Sequence, residues 1–304
     1  MRRFVSICAS SLVLCACGGG GGGSRPIPPA PPPPAYPTLN PLTQAVELKG
    51  PAVNTALDTF SGQYALQTGG SVGGTLNSNG SSLSSITLRV ANVAGVTFEQ
   101  TFLVSDLSAI QPYPGVSAVG ITGTKVASDG SIRTFTYVTP ASLGLTYSAL
   151  GAWEYSASPG AATTIGGALS TGVETRATDL PTTGTANYNG TMVGTYTNGT
   201  PGQTVAATAS ATADFGVRTV ALSTSNTQRT NGGVTFAAPL LDFSGTLVYP
   251  AGTNSLVGVV TTTGGLTGGA SAKFYGPAAV ELGGTFFVGG AGPQQMFGSF
   301  GLKK

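Results

Sequence analysis

Apolar and polar positions alternate along much of this chain. The period of two is plain in Ile132-Arg133-Thr134-Phe135-Thr136-Tyr137-Val138 and again from Thr185 to Tyr196, and it predicts strands with one buried face. From about Leu39 onward Gly, Thr, Ser, Val and Ala dominate, aromatics recur at intervals, and runs of strong helix formers are almost absent, a composition that favours sheet. Asn79-Gly80, Asp129-Gly130, Asn198-Gly199 and Asn231-Gly232 supply residues that tolerate positive φ at hairpin spacing. Asp129-Gly130, set between the alternating segments Val119–Ala127 and Ser131–Thr139, predicts a hairpin.

A stretch rich in Gly, Ala, Thr and Pro around 156–183 divides the strand pattern. About seven candidate strands precede it, near 60–66, 84–90, 97–104, 116–126, 131–139, 143–148 and 153–156. About eight follow, near 184–196, 205–214, 217–223, 240–249, 255–262, 269–275, 280–288 and 296–302. Antiparallel strands in that number, joined by short turns, satisfy an up-and-down barrel, and closure removes exposed edges. Gly194, Gly245, Gly258, Gly269, Gly283 and Gly284 are expected where the curved sheet bends. Phe215, Phe236, Phe243, Phe274, Phe286, Phe297 and Phe300 are expected to fill the interior, with Thr, Ser and Asn outward. The outward residues do not fit the lipid-facing apolar row of a membrane barrel. A small barrel is either plugged by its own side chains or holds one small ligand, and both remain open here.

The first residues change the expected location. Arg2 and Arg3 precede an apolar segment from Phe4 to Leu14 that is too short to span a bilayer. Leu14-Cys15-Ala16-Cys17 then resembles the processing site of bacterial lipoproteins. Residues 1–16 are expected as a signal peptide, and Cys17 as an acylated, palmitate-bearing N-terminus in the outer membrane. A plain secretory peptide cleaved near Ala16 is the alternative. Gly18–Gly23 and the proline-rich run Pro26–Pro37 make 17–38 a flexible joint followed by a stiffer spacer. The expected organisation continues as an N-terminal β domain over 39–156, a connection over 157–183 and a barrel over 184–304.

Charge and reactive side chains narrow the function. Removing Arg2 and Arg3 from the 13 basic residues leaves 11, against 11 acidic residues. With no basic cluster either, nucleic acid is set aside as a partner. Cys8, Cys15 and Cys17 all lie at or before the cleavage site, so the mature chain forms no internal disulfide. With no histidine in the chain, the usual neutral-pH base and the commonest metal ligand are missing. Asp58, Asp106, Asp129, Asp179, Asp214 and Asp242 are scattered singly, so neither an enzyme nor a cofactor is expected. Direct haem ligation would fall to tyrosine.

The C-terminus carries a resemblance. Lys273-Phe274-Tyr275-Gly276-Pro277-Ala278-Ala279-Val280-Glu281-Leu282-Gly283-Gly284-Thr285-Phe286, followed by Phe297-Gly298-Ser299-Phe300-Gly301-Leu302-Lys303-Lys304, resembles the closing strands of the transferrin-binding protein B-like barrel lipoproteins, a group that includes relatives of factor H binding protein. Leu180–Gly190 and Thr212–Gly216 resemble the first and second strands of that barrel, and Gly144–Trp153 is similar to its lead-in. Leu302 stands where Ala is commoner. The resemblance implies an all-β chain: an N-terminal antiparallel, handle-like β domain followed by a C-terminal eight-stranded antiparallel up-and-down β-barrel. It also implies display at the cell surface with help from a translocator, a TonB-type receptor as a neighbour, and a host ligand such as an iron- or haem-bearing protein or a complement regulator. The chain has one barrel, so transferrin itself is a poor expectation.

The expected function is therefore a monomeric surface lipoprotein that binds a host or environmental ligand, an iron- or haem-bearing protein or a small molecule, through loops of the barrel and the first domain. The alternative is a structural or adhesive surface lipoprotein without a discrete ligand. Tyr113, stiffened by Pro112 and Pro114, is a candidate ligand anchor, with an ordinary turn as the competing reading. Glu281, among apolar strand neighbours, is expected to be hydrogen-bonded within the fold.

Overall fold

The alternation becomes structure most directly in the strand Gln203–Asp214, where Val205, Ala207, Ala209, Ala211 and Ala213 are buried while Thr208 and Thr212 are exposed. The computed structural model describes residues 35–110, 113, 118–200 and 202–304. The segment expected as a signal peptide, Cys17 and the expected linker up to residue 34 lie outside the described residues.

Eleven strands form the N-terminal region: β1 Val46–Leu48, β2 Ala52–Asp58, β3 Gln63–Gln67, β4 Ser71–Ser78, β5 Leu83–Val93, β6 Val96–Leu103, β7 Leu107–Ile110, β8 Gly120–Val126, β9 Ile132–Val138, β10 Ser148–Ser156 and β11 Thr163–Gly172. They make a four-stranded sheet in the order β1-β4-β5-β6 and a seven-stranded sheet in the order β3-β2-β11-β10-β9-β8-β7. Leu76, Ile86, Leu88 and Phe102 from the first sheet pack against Phe135, Tyr137, Trp153 and Leu169 from the second. Trp153 and Tyr155 both meet Phe98 here, with ring centroids 6.2 and 5.8 Å away. The expected hairpin forms between β8 and β9. Gly130 takes φ 81°, and Asp129 accepts from the Ser131 amide at 2.9 Å.

Two features of this region depart from the sequence reading. The stretch 157–183, read as a connection, contains β11, an interior strand of the seven-stranded sheet between β2 and β10. Its glycines hide it from pattern reading, because Gly167 and Gly172 lie where any Cβ would collide with backbone of β2 or of the turn before β10. Conversely, 143–147 is not a strand. The amides of Thr146 and Tyr147 are taken by the Glu281 carboxylate rather than by a neighbouring strand.

The C-terminal region is β12 Thr185–Asn198, β13 Gln203–Asp214, β14 Thr219–Asn231, β15 Val234–Ala237, β16 Phe243–Val248, β17 Leu256–Thr262, β18 Thr267–Tyr275, β19 Glu281–Gly289 and β20 Gln294–Lys303. The order β13-β12-β20-β19-β18-β17-β16-β14 is closed by pairing of β13 with β14, which gives an eight-stranded antiparallel barrel. The remaining strand, β15, folds back on the far end of β14 as an added arm, turning at Gly232 and Gly233.

Inside, the alanines of β13 leave room for large residues opposite, the small-against-large packing that fills a narrow barrel. Phe243 and Phe286 lie 4.8 Å apart between ring centroids. Phe274 contacts Phe215, Tyr249 and Tyr188 at 5.6, 5.7 and 6.1 Å. Met192, Leu222, Val260, Leu282 and Phe300 complete a plugged core. Outside, Asn189, Ser210, Ser223, Ser244, Thr261 and Thr267 run in register round the wall as an uncharged polar belt.

Two expected fillers lie elsewhere. Phe297 points outward, because Met296 and Phe300 take the inner face of β20, and it packs with Val53 and Ala168 of the seven-stranded sheet. Phe236 sits on the β15 arm and is half exposed. The outer face of the seven-stranded sheet thus lies against the barrel wall, and Gly283 serves that contact more than a bend. A Cβ on Gly283 would strike Ser170 of β11, and one on Gly284 would strike the Ser271 carbonyl and the Phe300 ring.

Candidate functional site

With the barrel plugged, the chemistry available to a partner lies at its ends and on its flanks. The ends of β12, β14, β17 and β19 and the starts of β13, β15, β18 and β20 lie together at one end, and that rim carries the most developed side-chain cluster. Arg229 is drawn into it by a β-bulge. Thr208 pairs with Ser225 but Ala206 pairs with Gln228, so β14 holds one extra residue, with Asn226 at φ 56°. An added residue reverses which face the following side chains occupy. Arg229, opposite Val205 of the barrel core, therefore lies on the inner face at the mouth.

The guanidinium is held from three sides. Its Nη1 donates to Gln203 Oε1 at 2.9 Å, and it lies 6.0 Å from the ring centroid of Tyr196 and 5.6 Å from that of Phe236. Gln203 is buried and its amide is oriented in turn. Its Nε2 donates to Asn198 Oδ1 at 3.0 Å and to the Thr200 carbonyl at 3.4 Å, which leaves Oε1 to face Arg229. Arg229 forms no ion pair among the described residues.

The β2–β3 turn is docked on the same rim. Thr197 Oγ1 donates to the Gly62 carbonyl at 2.8 Å, the Tyr64 amide donates to Gln295 Oε1 at 2.8 Å, and the rings of Tyr64 and Phe297 meet edge to face at 4.8 Å. Asp58 Oδ1 accepts from the Phe60 amide at 2.9 Å, and the Thr59 hydroxyl donates to the Ala162 carbonyl at 2.9 Å. This fixed turn presents Phe60 with 87% of its surface exposed. Below the turn, a groove of about 580 Å³ runs between β2, β3 and the barrel wall, lined by Asn54, Leu66, Gln67, Val257, Thr267 and Phe287 among others, and no charged side chain lines it.

The opposite end is occupied by structural contacts. Tyr36 donates to Asp179 Oδ2 at 2.7 Å, accepts from the Arg176 amide at 2.9 Å and lies under the Arg176 guanidinium at 4.4 Å. Glu281, 1% exposed, is the bond between β19 and the seven-stranded sheet. It accepts from the amides of Thr146, Tyr147 and Ser148 at 2.6, 3.0 and 2.9 Å and from the Ser148 hydroxyl at 2.8 Å. The carboxylate has a structural role, as its apolar neighbours in sequence indicated.

Tyr113 packs with Ala118, Val138, Leu150 and Val193, away from the rim cluster, and burial pushes its phenol up to about 12. Burial pushes Tyr64 up to about 12 as well and raises Tyr137, Tyr188 and Tyr275. A phenolate able to ligate iron is disfavoured at all five. The six aspartates expected as singletons each serve a bond within the fold: Asp58, Asp129 and Asp214 accept from turn amides, Asp106 from the Leu103 amide, Asp179 from Tyr36, and Asp242 from Thr227 at 2.6 Å. Among the described residues, no three His, Cys, Asp or Glu side chains converge as metal ligands. The rim cluster itself escaped the sequence reading. Asn231-Gly232 marked the arm, but nothing in the sequence marked the bulge.

Residues 180–304 match the family described as the C-lobe and N-lobe beta barrels of Tf-binding protein B. Among solved structures, the chain is similar to a double mutant of Transferrin Binding Protein B from Haemophilus parasuis, with 16% identity over 77% of this chain and 53% of that one and a TM-score of 0.44. Also similar are isotype 1 Transferrin binding protein B from serogroup B Neisseria meningitidis, with 14% identity over 86% of this chain and 77% of that one and a TM-score of 0.37, and a putative outer membrane protein from Bacteroides fragilis, with 14% identity over 86% and 97% and a TM-score of 0.27. The chain spans about half the length of the H. parasuis protein. No curated protein sequence matches it.

Proposed function

Since residues 180–304 match the family of transferrin-binding protein B barrels, we propose that this chain is a lipid-anchored surface protein of the bacterial outer membrane that captures a host or environmental ligand at the barrel rim. The carrying observation is the asymmetry of the barrel. Its interior is plugged, one end is taken up by the Tyr36 and Glu281 contacts, and the other end presents an exposed aromatic on a fixed turn beside an aromatic-framed arginine. A rigid sheet that positions exposed aromatic and arginine side chains is the usual construction of a binding surface. Cys17 carries the acyl chains of the anchor. The ligand class is an iron- or haem-bearing protein or a related soluble partner, and the protein acts by binding, without catalysis.

Surface plasmon resonance of the soluble domain (residues 36–304) against transferrin, haem–albumin and complement regulators tests the ligand reading. Saturable binding to one of them, weakened at least tenfold by Phe60→Ala, is expected, whereas saturable binding to none defeats it. Palmitate labelling and membrane fractionation of the full chain, compared with Cys17→Ala, test the anchor. The second reading, a structural or adhesive coat protein, is favoured by the plugged interior and the uncharged polar belt. Intact-cell adhesion that survives both Phe60→Ala and Arg229→Gln would support it.

A further inference from the structure

Arg229 is half buried at the mouth of a plugged barrel, where the apolar core beneath it weakens hydration of the charge. Burying a cation is costly unless it is paired, yet no carboxylate among the described residues pairs with it. What surrounds it orients the guanidinium without neutralising it. Gln203 engages one donor at Nη1, and the rings of Tyr196 and Phe236 lie within reach of cation–π attraction. A guanidinium carries five N–H donors in a planar fork, so most of the fork remains for something from outside.

The orientation is built in depth. Asn198 and Thr200 fix the Gln203 amide, Gln203 fixes Nη1, and the β14 bulge fixes which face Arg229 occupies. The local costs of ordering are met before any ligand arrives, which is the condition for strong and selective pairing with a planar oxyanion. Phe236, on the short β15 arm and half exposed, leaves one edge of the cluster open to solvent.

We infer that Arg229 is an oxyanion-binding site at the barrel mouth, and that the ligand of this rim presents a carboxylate to it, flanked by apolar surface that meets the exposed Phe236. This deepens the proposed function and rests on the rim being the ligand-bearing end. The carboxylate belongs to an aspartate or glutamate side chain of a protein partner or to a free organic acid, and the two sources share the chemistry of the fork.

The test is an NMR titration of the soluble domain, following the Arg229 Nε–H and the Tyr196 and Phe236 ring signals. The probes are N-acetyl-glutamate N-methylamide and its neutral twin N-acetyl-glutamine N-methylamide, at constant ionic strength, with sodium acetate as the free-acid arm. Saturable shifts with the acid and none with the amide are expected, with at least tenfold weaker binding in Arg229→Gln and an intermediate loss in Arg229→Lys, both variants checked for the native spectrum. A blocked glutamate that binds more tightly than acetate assigns the site to a protein side chain; the reverse order assigns it to a free acid. Equal responses to acid and amide overturn the inference, as do responses unchanged in Arg229→Gln or a non-saturating response shared with Arg218 at the other end. If the acid probe fails while a protein in the binding panel is still captured, only this inference falls. If the probe binds and the whole panel is negative, it is the ligand reading that falls.

Discussion

Replacing Glu281 by glutamine keeps the shape of the side chain and alters only its hydrogen-bonding character. The carboxylate is buried and accepts four hydrogen bonds, all from Thr146, Tyr147 and Ser148. In the variant the amide oxygen can keep the three donors at Oε2, but the NH₂ group then faces the Thr146 amide, 2.6 Å from the original oxygen. One buried donor loses its acceptor at a cost of about 1–3 kcal/mol. The other three bonds lose their ionic character, which roughly halves each. Removing a buried charge works in the opposite direction, so the expected net loss is about 3 kcal/mol. At roughly 2–4 °C per kcal/mol for a domain of this size, Tm falls by about 6–12 °C.

Glu281→Ala orphans all four donors and opens a cavity, so it should cost more, above about 4 kcal/mol. Urea unfolding gives the free energy, and amide hydrogen exchange locates it. The Thr146, Tyr147 and Ser148 amides should lose protection before the barrel strands do. A loss below about 1 kcal/mol in Glu281→Gln, or unchanged exchange at those three amides, would refute the reasoning.

Four further outcomes follow from the same structure. Ala278 is exposed and held at φ 50°, so Ala278→Gly should relieve left-handed strain and raise stability by about 0.5–1 kcal/mol, read as a higher Tm. Gly284→Ala places a methyl against the Ser271 carbonyl and the Phe300 ring, and a loss of about 2–4 kcal/mol in urea unfolding is expected because backbone must move. The Phe60 amide and the Ser61 hydroxyl and amide hold the Asp58 carboxyl below the usual carboxylate range. Its contribution is complete above the unfolded value of about 3.9 and disappears as pH falls through the lower folded value, so wild type and Asp58→Asn should differ in urea midpoint at pH 7 and converge once acid has protonated the folded carboxyl. Phe60→Ala should leave Tm within about 1 °C, since the ring is 87% exposed, while weakening ligand capture at least tenfold in the plasmon resonance assay.

Period-two alternation, turn residues and the closing motif were enough to read the barrel from the sequence, because those signals are local and each strand repeats them. The Asp129-Gly130 hairpin and the eight barrel strands follow from neighbours within a few residues. β11 escaped because its glycines are selected by backbone that lies far away in sequence, that of Val53 and Tyr147. The candidate anchor Tyr113 drew attention through its flanking prolines, yet the structure places it in an apolar cluster.

What the sequence by itself determined is the alternating pattern, and hence most of the strands and that the later ones close on themselves; register along an ideal strand follows from a period of two. By that count Arg229, an odd number of positions from Val220, Leu222 and Thr224, belongs outside the barrel. Only the tertiary structure placed it inside, through one extra residue in β14 at Asn226, and only folding brought it to Gln203, 26 residues away. Glu281 likewise meets its donors across 133–135 residues of chain. A bulge, and a bond between distant strands, depend on which backbones come to lie side by side, and no local pattern carries that information.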